Sequence, residues 1–258
     1  MKVIILAGGL GTRLGNITES IPKPMVRIGD RPIIWHIMKM YSHYGYKDFV
    51  LSLGYKQEVI KEYFHNYYVR STDYTVNLGT KSVEVLSGHD EMDWNVTMVN
   101  TGLNTLKGAR LKRLENYLDD DINMFTYGDG VADIDIQKLV DFHKSHDKIL
   151  TITGVHPPAR FGEIVEKNDA LVSFKEKPQS SVGLINGGFA VFDKRLFKFL
   201  REDENCDLEY ETFEQLVPLG EVMVYKHLTD WECVDTERDL KHLNSLWADK
   251  KAFWQKWK

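Results

Sequence analysis

Short apolar runs alternate with segments of helical periodicity along most of the chain. Strands are predicted for the apolar runs at 3–7, 49–53, 96–99, 124–127, 149–155, 185–192 and 221–225. Apolar residues fall on one helical face at 31–44, 56–68, near 109–118 and from 136 to 143. Strands and helices that alternate in this way predict an α/β fold, with a mostly parallel sheet flanked by helices.

Two segments depart from this alternation. Apolar and polar residues alternate on both sides of Gly79-Thr80, which predicts an inserted β-hairpin at about 73–86. Such a hairpin more often packs on a neighbour than takes part in chemistry. A helical tail is predicted at about 237–258, where one stripe suits packing on the domain or on another subunit. The stripe consists of Leu240, Leu243, Trp247 and Trp254.

Length and charge narrow the possible functions. A chain of 258 residues can bury its own core, and we expect a single domain over 1–258. The net charge of −5 disfavours general binding to nucleic acid or to an anionic membrane. Two distant cysteines, Cys206 and Cys233, indicate a reducing cytosol. No apolar run approaches the roughly 18 residues that span a bilayer. A soluble, cytoplasmic protein is therefore expected.

A glycine-rich segment, Leu6-Ala7-Gly8-Gly9-Leu10-Gly11-Thr12-Arg13, follows the first predicted strand. Glycines let backbone N–H groups approach an anion closely. The segment lacks the GxxxxGK[ST] string of a Walker A loop, and Leu14 stands where a dinucleotide fingerprint needs its third glycine. Arg13 and Lys23 add two cations, and the prolines beside Lys23 predict an extended backbone there. The pattern favours a triphosphate cradle over a plain structural turn.

The string GGLGTRL followed by KPM resembles the sugar-phosphate nucleotidyltransferases. The resemblance continues through WHIMKMYSHYG (35–45), GYKQEVIKEYF (54–64), TYGDGVAD (126–133), FGE (161–163), EKP (176–178), INGGF (185–189) and DT.RD (235–239). These tracts are most similar to the cytidylyltransferases of that family. The resemblance implies a Rossmann-like transferase fold and a reaction of CTP with α-D-glucose 1-phosphate, which gives CDP-glucose and pyrophosphate.

The implied chemistry needs charge neutralisation more than a general base. A sugar phosphate is mostly dianionic at neutral pH because its second pKa is about 6. In-line attack on the α-phosphorus then depends on positioning. Asp129 follows a predicted strand, at the edge where parallel sheets bind ligands. The resemblance implies that Asp129 and Asp235 hold Mg²⁺, which prefers carboxylates together with phosphates. The alternatives are a turn residue for Asp129 and a helix N-cap for Asp235.

The resemblance also assigns the substrate contacts. It implies nucleotide contacts by residues Leu6 to Arg13 and by Lys23, Thr105 and Arg110. The guanidinium of Arg110 can donate to the cytosine carbonyl or to a phosphate. It implies sugar-phosphate contacts by Phe161, Gly162, Glu176, Lys177, Asn186 and Gly187. It further suggests a homo-oligomer, with a hexamer as one candidate, that supplies CDP-glucose for surface polysaccharide.

One departure keeps the choice of nucleotide open. Ala109 stands where the family pattern has a second glycine before the arginine. UTP, dTTP or GTP, or another sugar 1-phosphate, therefore stays an alternative with the same chemistry.

Two rival functions from other classes are weaker. A nucleotide-dependent oxidoreductase lacks support because the third glycine is missing. A regulatory binding module that has lost turnover is disfavoured because Asp129 and Asp235 are both present.

Two aspartates and three histidines also carry expectations. Asp30 and Asp133 are predicted to cap the helices that follow them. Among the nine histidines, His143 shares an apolar face and is predicted to lie in the core. His36 and His43 are expected on a helix surface or an interface.

Overall fold

A seven-stranded sheet runs through the centre of the molecule. Its strands, in spatial order, are β14 (Val222–His227), β10 (Leu150–Val155), β13 (Ile185–Asp193), β8 (Ile122–Tyr127), β1 (Val3–Leu6), β4 (Asp48–Leu53) and β7 (Asn95–Asn100). The computed structural model describes residues 1–119, 121–157, 163–167, 170–175 and 183–257. In that part of the chain β13 runs antiparallel to both neighbours, and the other six strands share one direction. The predicted α/β class with a mostly parallel sheet is confirmed.

The remaining described strands do not belong to this central sheet. Four two-stranded ribbons accompany it: β2 Arg27–Ile28 with β3 Arg31–Pro32, β5 Tyr74–Asn77 with β6 Ser82–Val85, β9 Gly130–Ala132 with β15 Trp231–Cys233, and β11 Glu163–Lys167 with β12 Ala170–Lys175.

Helices cover the sheet. The α-helices are α1 Asn16–Ser20, α2 Ile33–His43, α3 Gln57–His65, α4 Tyr67–Ser71, α5 Lys107–Lys112, α6 Ile136–Lys144, α7 Glu214–Leu216 and α8 Glu237–Ala248. Short 3₁₀ turns lie at Thr12–Leu14, Lys23–Met25, Glu115–Tyr117 and Lys194–Phe199, and a π-helical turn spans Leu208–Phe213. None of these described helices is long and apolar enough to cross a membrane.

Side-chain alternation along the strands divides the core into two layers. Val3 and Ile5 of β1 point to the layer beneath α2 and α6, whereas Ile4 points to the layer beneath α5. All three side chains are fully buried. Because both faces of the sheet are covered at β1, this strand is a continuous apolar run, as expected for the inside of a buried parallel sheet.

Two predicted helix caps are wrong. Asp30 lies with Gly29 in the turn between β2 and β3, so α2 begins at Ile33, after Pro32, without a side-chain cap. Asp133 lies too far before α6 to cap it. Asp135 is the N-cap, and its carboxylate accepts from the backbone N–H of Lys138 at 3.0 Å.

The segment after α8 packs against α2 and corrects two further predictions. Helix α8 ends at Ala248, so Trp254 does not continue its stripe, although it is fully buried. His36 was expected at a surface, but it is also fully buried. Its Nε2 donates to the carbonyl of Ile28 at 2.9 Å, and its Nδ1 accepts from the indole of Trp254 at 3.3 Å. Aromatic packing between α2 and this segment therefore encloses the histidine.

His143 lies in the core, as predicted, within hydrogen-bond distance of Thr151 Oγ1 at 2.9 Å. Burial lowers the pKa of both His36 and His143 to about 4.

The side chains of the β5–β6 ribbon are all exposed in this chain.

Candidate active site

The β9–β15 ribbon brings the two predicted metal-binding acids together. Asp129 directly precedes β9 and Asp235 follows β15, and the two strands pair antiparallel with Cys233 opposite Gly130. The backbone N–H of Val234 donates to the carbonyl of Asp129 at 2.9 Å, which extends the pairing to the acids themselves. The ribbon stands at the carboxyl end of β8, the edge where parallel sheets bind ligands.

Lys23 joins the two acids. Its Nζ lies 2.6 Å from Asp129 Oδ2 and 2.8 Å from Asp235 Oδ1, and only 12% of its side chain is exposed. Burial works to lower the pKa of Lys23, but the two carboxylates together outweigh it and raise that pKa above its ordinary 10.5. The ammonium therefore stays charged. Arg13, whose side chain is exposed, adds a second cation through its Nη1, 2.9 Å from Asp235 Oδ2.

The backbone around Lys23 differs from the prediction. Pro22 is extended, but Lys23 begins a 3₁₀ turn, in which the N–H of Met25 donates to the carbonyl of Pro22 at 2.8 Å. Pro24 is tolerated there because the second residue of such a turn needs no N–H donor. The turn packs against Gly128, where an added Cβ would come within 3.1 Å of Pro24 Cγ.

The glycine loop lies beside this cluster, between β1 and the 3₁₀ turn that contains Arg13. Gly11 has φ +66°, a left-handed conformation that favours glycine, and its carbonyl accepts from Thr18 Oγ1 at 3.1 Å. Among the described residues, the N–H groups of Gly9, Leu10 and Gly11 donate no hydrogen bond to the chain. They are donors available to an anion.

Arg110 holds the backbone of the glycine loop in place through hydrogen bonds to carbonyl groups. Its Nη1 and Nη2 donate to the carbonyls of Gly8, Leu53, Gly102 and Leu103 at 2.8 to 3.2 Å and to Thr101 Oγ1 at 2.8 Å. No carboxylate of the described chain pairs with it. Burial, together with a neighbouring arginine, lowers its pKa to about 10, so the guanidinium stays charged at pH 7. This role in holding the loop was not visible in the sequence.

The other nucleotide-loop residues lie next to Arg110. Thr105 is buried, and its Oγ1 accepts from Arg113 Nη1 at 3.0 Å. Ala109 is also fully buried, and it packs in the core layer beneath α5. The methyl group that distinguishes it from the family's glycine is therefore accommodated in the core.

Asn186 is the second residue of β13. Its Nδ2 donates to the hydroxyl of Tyr127 at 3.1 Å, and its Oδ1 accepts from the N–H of Gly188 at 3.0 Å. The adjacent Gly187 leaves no room for a side chain, because a Cβ would lie 2.6 Å from Val155 Cγ1. The remaining predicted sugar contacts, Phe161, Gly162, Glu176 and Lys177, lie outside the described residues.

Three polar residues near Asn186 were missed by the sequence reasoning. Tyr127 donates its hydroxyl hydrogen to Glu209, and the same carboxylate accepts from Lys107. The position of Tyr127, two residues before Asp129 at a strand end, is a signal that could have identified it. Glu209 is one of several acidic residues in its part of the sequence, and no local pattern distinguishes it from the others.

The donor set fits the predicted magnesium ion. Two carboxylates converge on one cation position, and no group of three or more His, Cys, Asp or Glu side chains forms a candidate metal site in the described ranges. Mg²⁺ is commonly held by one or two carboxylates plus substrate phosphates rather than by a complete protein cage. The donors present suit that mode.

Comparisons with known proteins identify the family. The profile of the nucleotidyl transferase family matches residues 2–254. The chain is 46% identical to a glucose-1-phosphate cytidylyltransferase from Salmonella typhimurium, over 100% of both chains. It is 32% identical to a D-glycero-α-D-manno-heptose 1-phosphate guanylyltransferase from Campylobacter jejuni, over 81% of this chain and 83% of the relative.

A solved structure shares the fold. It is described as a glucose-1-phosphate thymidylyltransferase from Bacillus anthracis, and it aligns with a TM-score of 0.67 at 20% identity, covering 95% of this chain and 94% of its own. At that identity the likeness concerns the fold alone. The profile match and the full-length identity show that this chain belongs to the nucleotidyl transferase family.

Proposed function

We propose that this protein joins CTP to α-D-glucose 1-phosphate and releases pyrophosphate, giving CDP-glucose. The observation that carries the proposal is the contact of Lys23 with both Asp129 and Asp235, beside a loop with available N–H donors. The full-length identity to a glucose-1-phosphate cytidylyltransferase supports the choice of substrates.

In the proposed reaction a phosphate oxygen of the sugar phosphate attacks the α-phosphorus of CTP. The bond from that phosphorus to the oxygen of the leaving pyrophosphate breaks in line. The N–H groups of the glycine loop bind the triphosphate, and Arg13 and Lys23 offset its negative charge. Because the attacking phosphate is already a dianion, no side chain has to remove a proton.

The proposed cofactor is Mg²⁺, held by Asp129 and Asp235. When bound, it would supply further neutralisation of the phosphate charge. Thr105 and Arg110 are proposed on the nucleotide side. On the sugar side we propose Asn186 and Gly187, together with the residues Phe161, Gly162, Glu176 and Lys177.

We also propose a cytoplasmic homo-oligomer that supplies CDP-glucose for surface polysaccharide. Two free cysteines are consistent with a reducing compartment. A hexamer is one candidate assembly, and the mass measured by light scattering decides it. A monomeric mass at micromolar concentration would contradict the oligomer.

The substrates are tested by measuring pyrophosphate release with Mg²⁺ over a grid of nucleotides and sugar 1-phosphates. The grid holds CTP, UTP, dTTP and GTP against glucose, mannose and heptose 1-phosphates. We expect the highest kcat/KM with CTP and glucose 1-phosphate, by at least about tenfold, which corresponds to about 1.4 kcal/mol.

The guanylyltransferase relative makes GTP the most informative competitor in this grid. Higher kcat/KM with GTP would reject the proposed nucleotide and keep the chemistry. A complete absence of turnover in every combination would reject the transferase proposal.

A further inference from the structure

A chain of polar contacts links the nucleotide-loop helix to the sugar side of the site. It consists of Lys107 at the start of α5, Glu209 in the π-helical turn, Tyr127 at the end of β8 and Asn186 at the start of β13. We call these four residues the Glu209 network. The nucleotide and metal chemistry described above uses none of its first three members.

The directions of these hydrogen bonds follow from the donor inventory. Glu209 is an acceptor only, so Lys107 and Tyr127 both donate to it. The hydroxyl hydrogen of Tyr127 is therefore committed to Glu209, and its oxygen has to accept from Asn186 Nδ2.

This ordering fixes the amide of Asn186. Its Oδ1 faces the N–H of Gly188 and its Nδ2 faces Tyr127, so a flip would lose both bonds. One N–H of Nδ2 remains, together with one lone pair of Oδ1, in a defined orientation. A sugar hydroxyl at this amide can therefore accept from Nδ2 or donate to Oδ1, and the positions of these two atoms are not interchanged.

We propose that Glu209 is a positioning residue for the sugar. It acts through Tyr127 to fix the amide of Asn186, which selects the hydroxyl pattern of the bound hexose. The inference rests on the proposed function, because that function places the sugar at Asn186. Lys107 donates to the Glu209 carboxylate, and its ammonium also lies 4.8 Å from the centre of the Tyr127 ring.

The backbone is built to admit this arrangement. Gly188 has φ +80°, and an added Cβ there would lie 2.9 Å from Tyr127 Cδ2. The tyrosine ring thus packs directly on the backbone of β13, two residues after Asn186. π-helical turns such as the one that carries Glu209 are frequent at functional sites.

The test compares binding of CDP-glucose and CDP, because the two ligands differ only by the sugar. Dissociation constants are measured by calorimetry in the presence of Mg²⁺. We expect Tyr127→Phe and Glu209→Ala each to raise the Kd for CDP-glucose about five- to tenfold, the worth of one hydrogen bond, and to leave that for CDP within about twofold. Glu209→Gln should retain most of the affinity, since its amide oxygen can still accept from Tyr127.

A double variant separates positioning from general structural damage. If Glu209 acts through Tyr127, Tyr127→Phe with Glu209→Ala should weaken CDP-glucose binding no more than either change alone. Glu211→Ala is the matched control, because Glu211 lies in the same π-helical turn but pairs with Arg201. It should leave both constants unchanged.

Two results would overturn the positioning role while the proposed function stands. One is an equal loss of CDP and CDP-glucose binding in the single variants. The other is additive losses in the double variant. A wild-type protein that binds CDP-glucose no more tightly than CDP would instead reject the proposed sugar, and the inference with it.

Discussion

Lys23 sets the charge balance of the candidate site. The chain as a whole carries −5, yet its proposed substrates are polyanions. Lys23 is largely enclosed between Asp129 and Asp235, and the exposed Arg13 also contacts Asp235. Cations and acids are thus paired within the site itself. The overall net charge therefore says little about which ligands this site can bind.

Replacing Asp129 tests its proposed role in holding the metal. We expect Asp129→Asn to lower kcat by at least ~100-fold, a loss typical of removing one electrostatic group from an active site. The fold should survive, because Asp235 still binds Lys23 and the new amide oxygen can accept from it. Pyrophosphate release and thermal unfolding measure the two effects.

Asp133→Asn is the matched control for that variant. Asp133 lies four residues further on and pairs with Lys256, away from Lys23. Its replacement should leave kcat near the wild-type value. Near-normal turnover in Asp129→Asn would contradict the metal assignment.

The sequence predicts some of these residues and not others, for physical reasons. Asp129 follows an apolar run directly, so its place at a sheet edge is visible from local pattern. Its proximity to Asp235 depends on the pairing of β9 with β15, a long-range contact that no local pattern encodes. Glu209 reaches Tyr127 in the same non-local way. Only the family resemblance indicates that Asp235 acts together with Asp129.

At the scale of elements, the glycine loop is held from below by one guanidinium. Arg110 crosses from α5 to the carbonyl of Gly8 and ties that loop to the ends of neighbouring strands. Gly8 is the tightest point, because an added Cβ would lie 2.2 Å from Arg110 Nη1 and 3.1 Å from the backbone N of Gly54. The guanidinium cannot move away without breaking its own hydrogen bonds.

Gly8→Ala and Gly9→Ala form a matched pair of variants in this loop. The Gly8 change should destabilise the protein by about 1–3 kcal/mol, as overpacking does, and weaken CTP binding. The Gly9 change meets no atom within 4 Å, so stability should shift by less than about 1 kcal/mol. Urea unfolding of the two variants measures the difference, and equal stabilities would contradict the tight contact with Arg110.

Element boundaries show where local rules compete. Asp30 is a residue type that is preferred at N-caps, but it lies in the turn between β2 and β3, and α2 begins after Pro32. Helix α8, in contrast, has a side-chain N-cap in Thr236, which accepts from the N–H of Asp239 in a capping box. The Asp239 carboxylate also accepts from the backbone N–H of Asp235 at 3.1 Å. The same helix start thus fixes an active-site residue.

At the scale of the molecule, two buried histidines make stability depend on pH. His36 and His143 both have their pKa lowered to about 4 by burial. The unfolded chain, with a His pKa near 6.5, therefore binds more protons than the fold between about pH 4 and 6.5. Stability is fully present above pH 6.5 and is lost as the pH falls through this range.

The size of this effect can be measured with His36→Gln. In the wild-type protein, His36 should lower the free energy of unfolding by about 2 kcal/mol between pH 7 and pH 5. In the variant this contribution is absent, so its free energy of unfolding should fall by about 2 kcal/mol less over the same range. His43→Gln is the control, because His43 is exposed. Urea unfolding at both pH values gives the comparison, and an unchanged pH dependence in His36→Gln would contradict a neutral, buried His36.

The contact between Trp254 and His36 spans 218 positions of the chain. During synthesis the outer face of α2 therefore stays uncovered until more than two hundred further residues have left the ribosome. Contacts of such sequence separation slow folding, and the exposed apolar face can associate with other chains meanwhile. The aromatic cover of α2 is thus completed only after residue 254 has been synthesised.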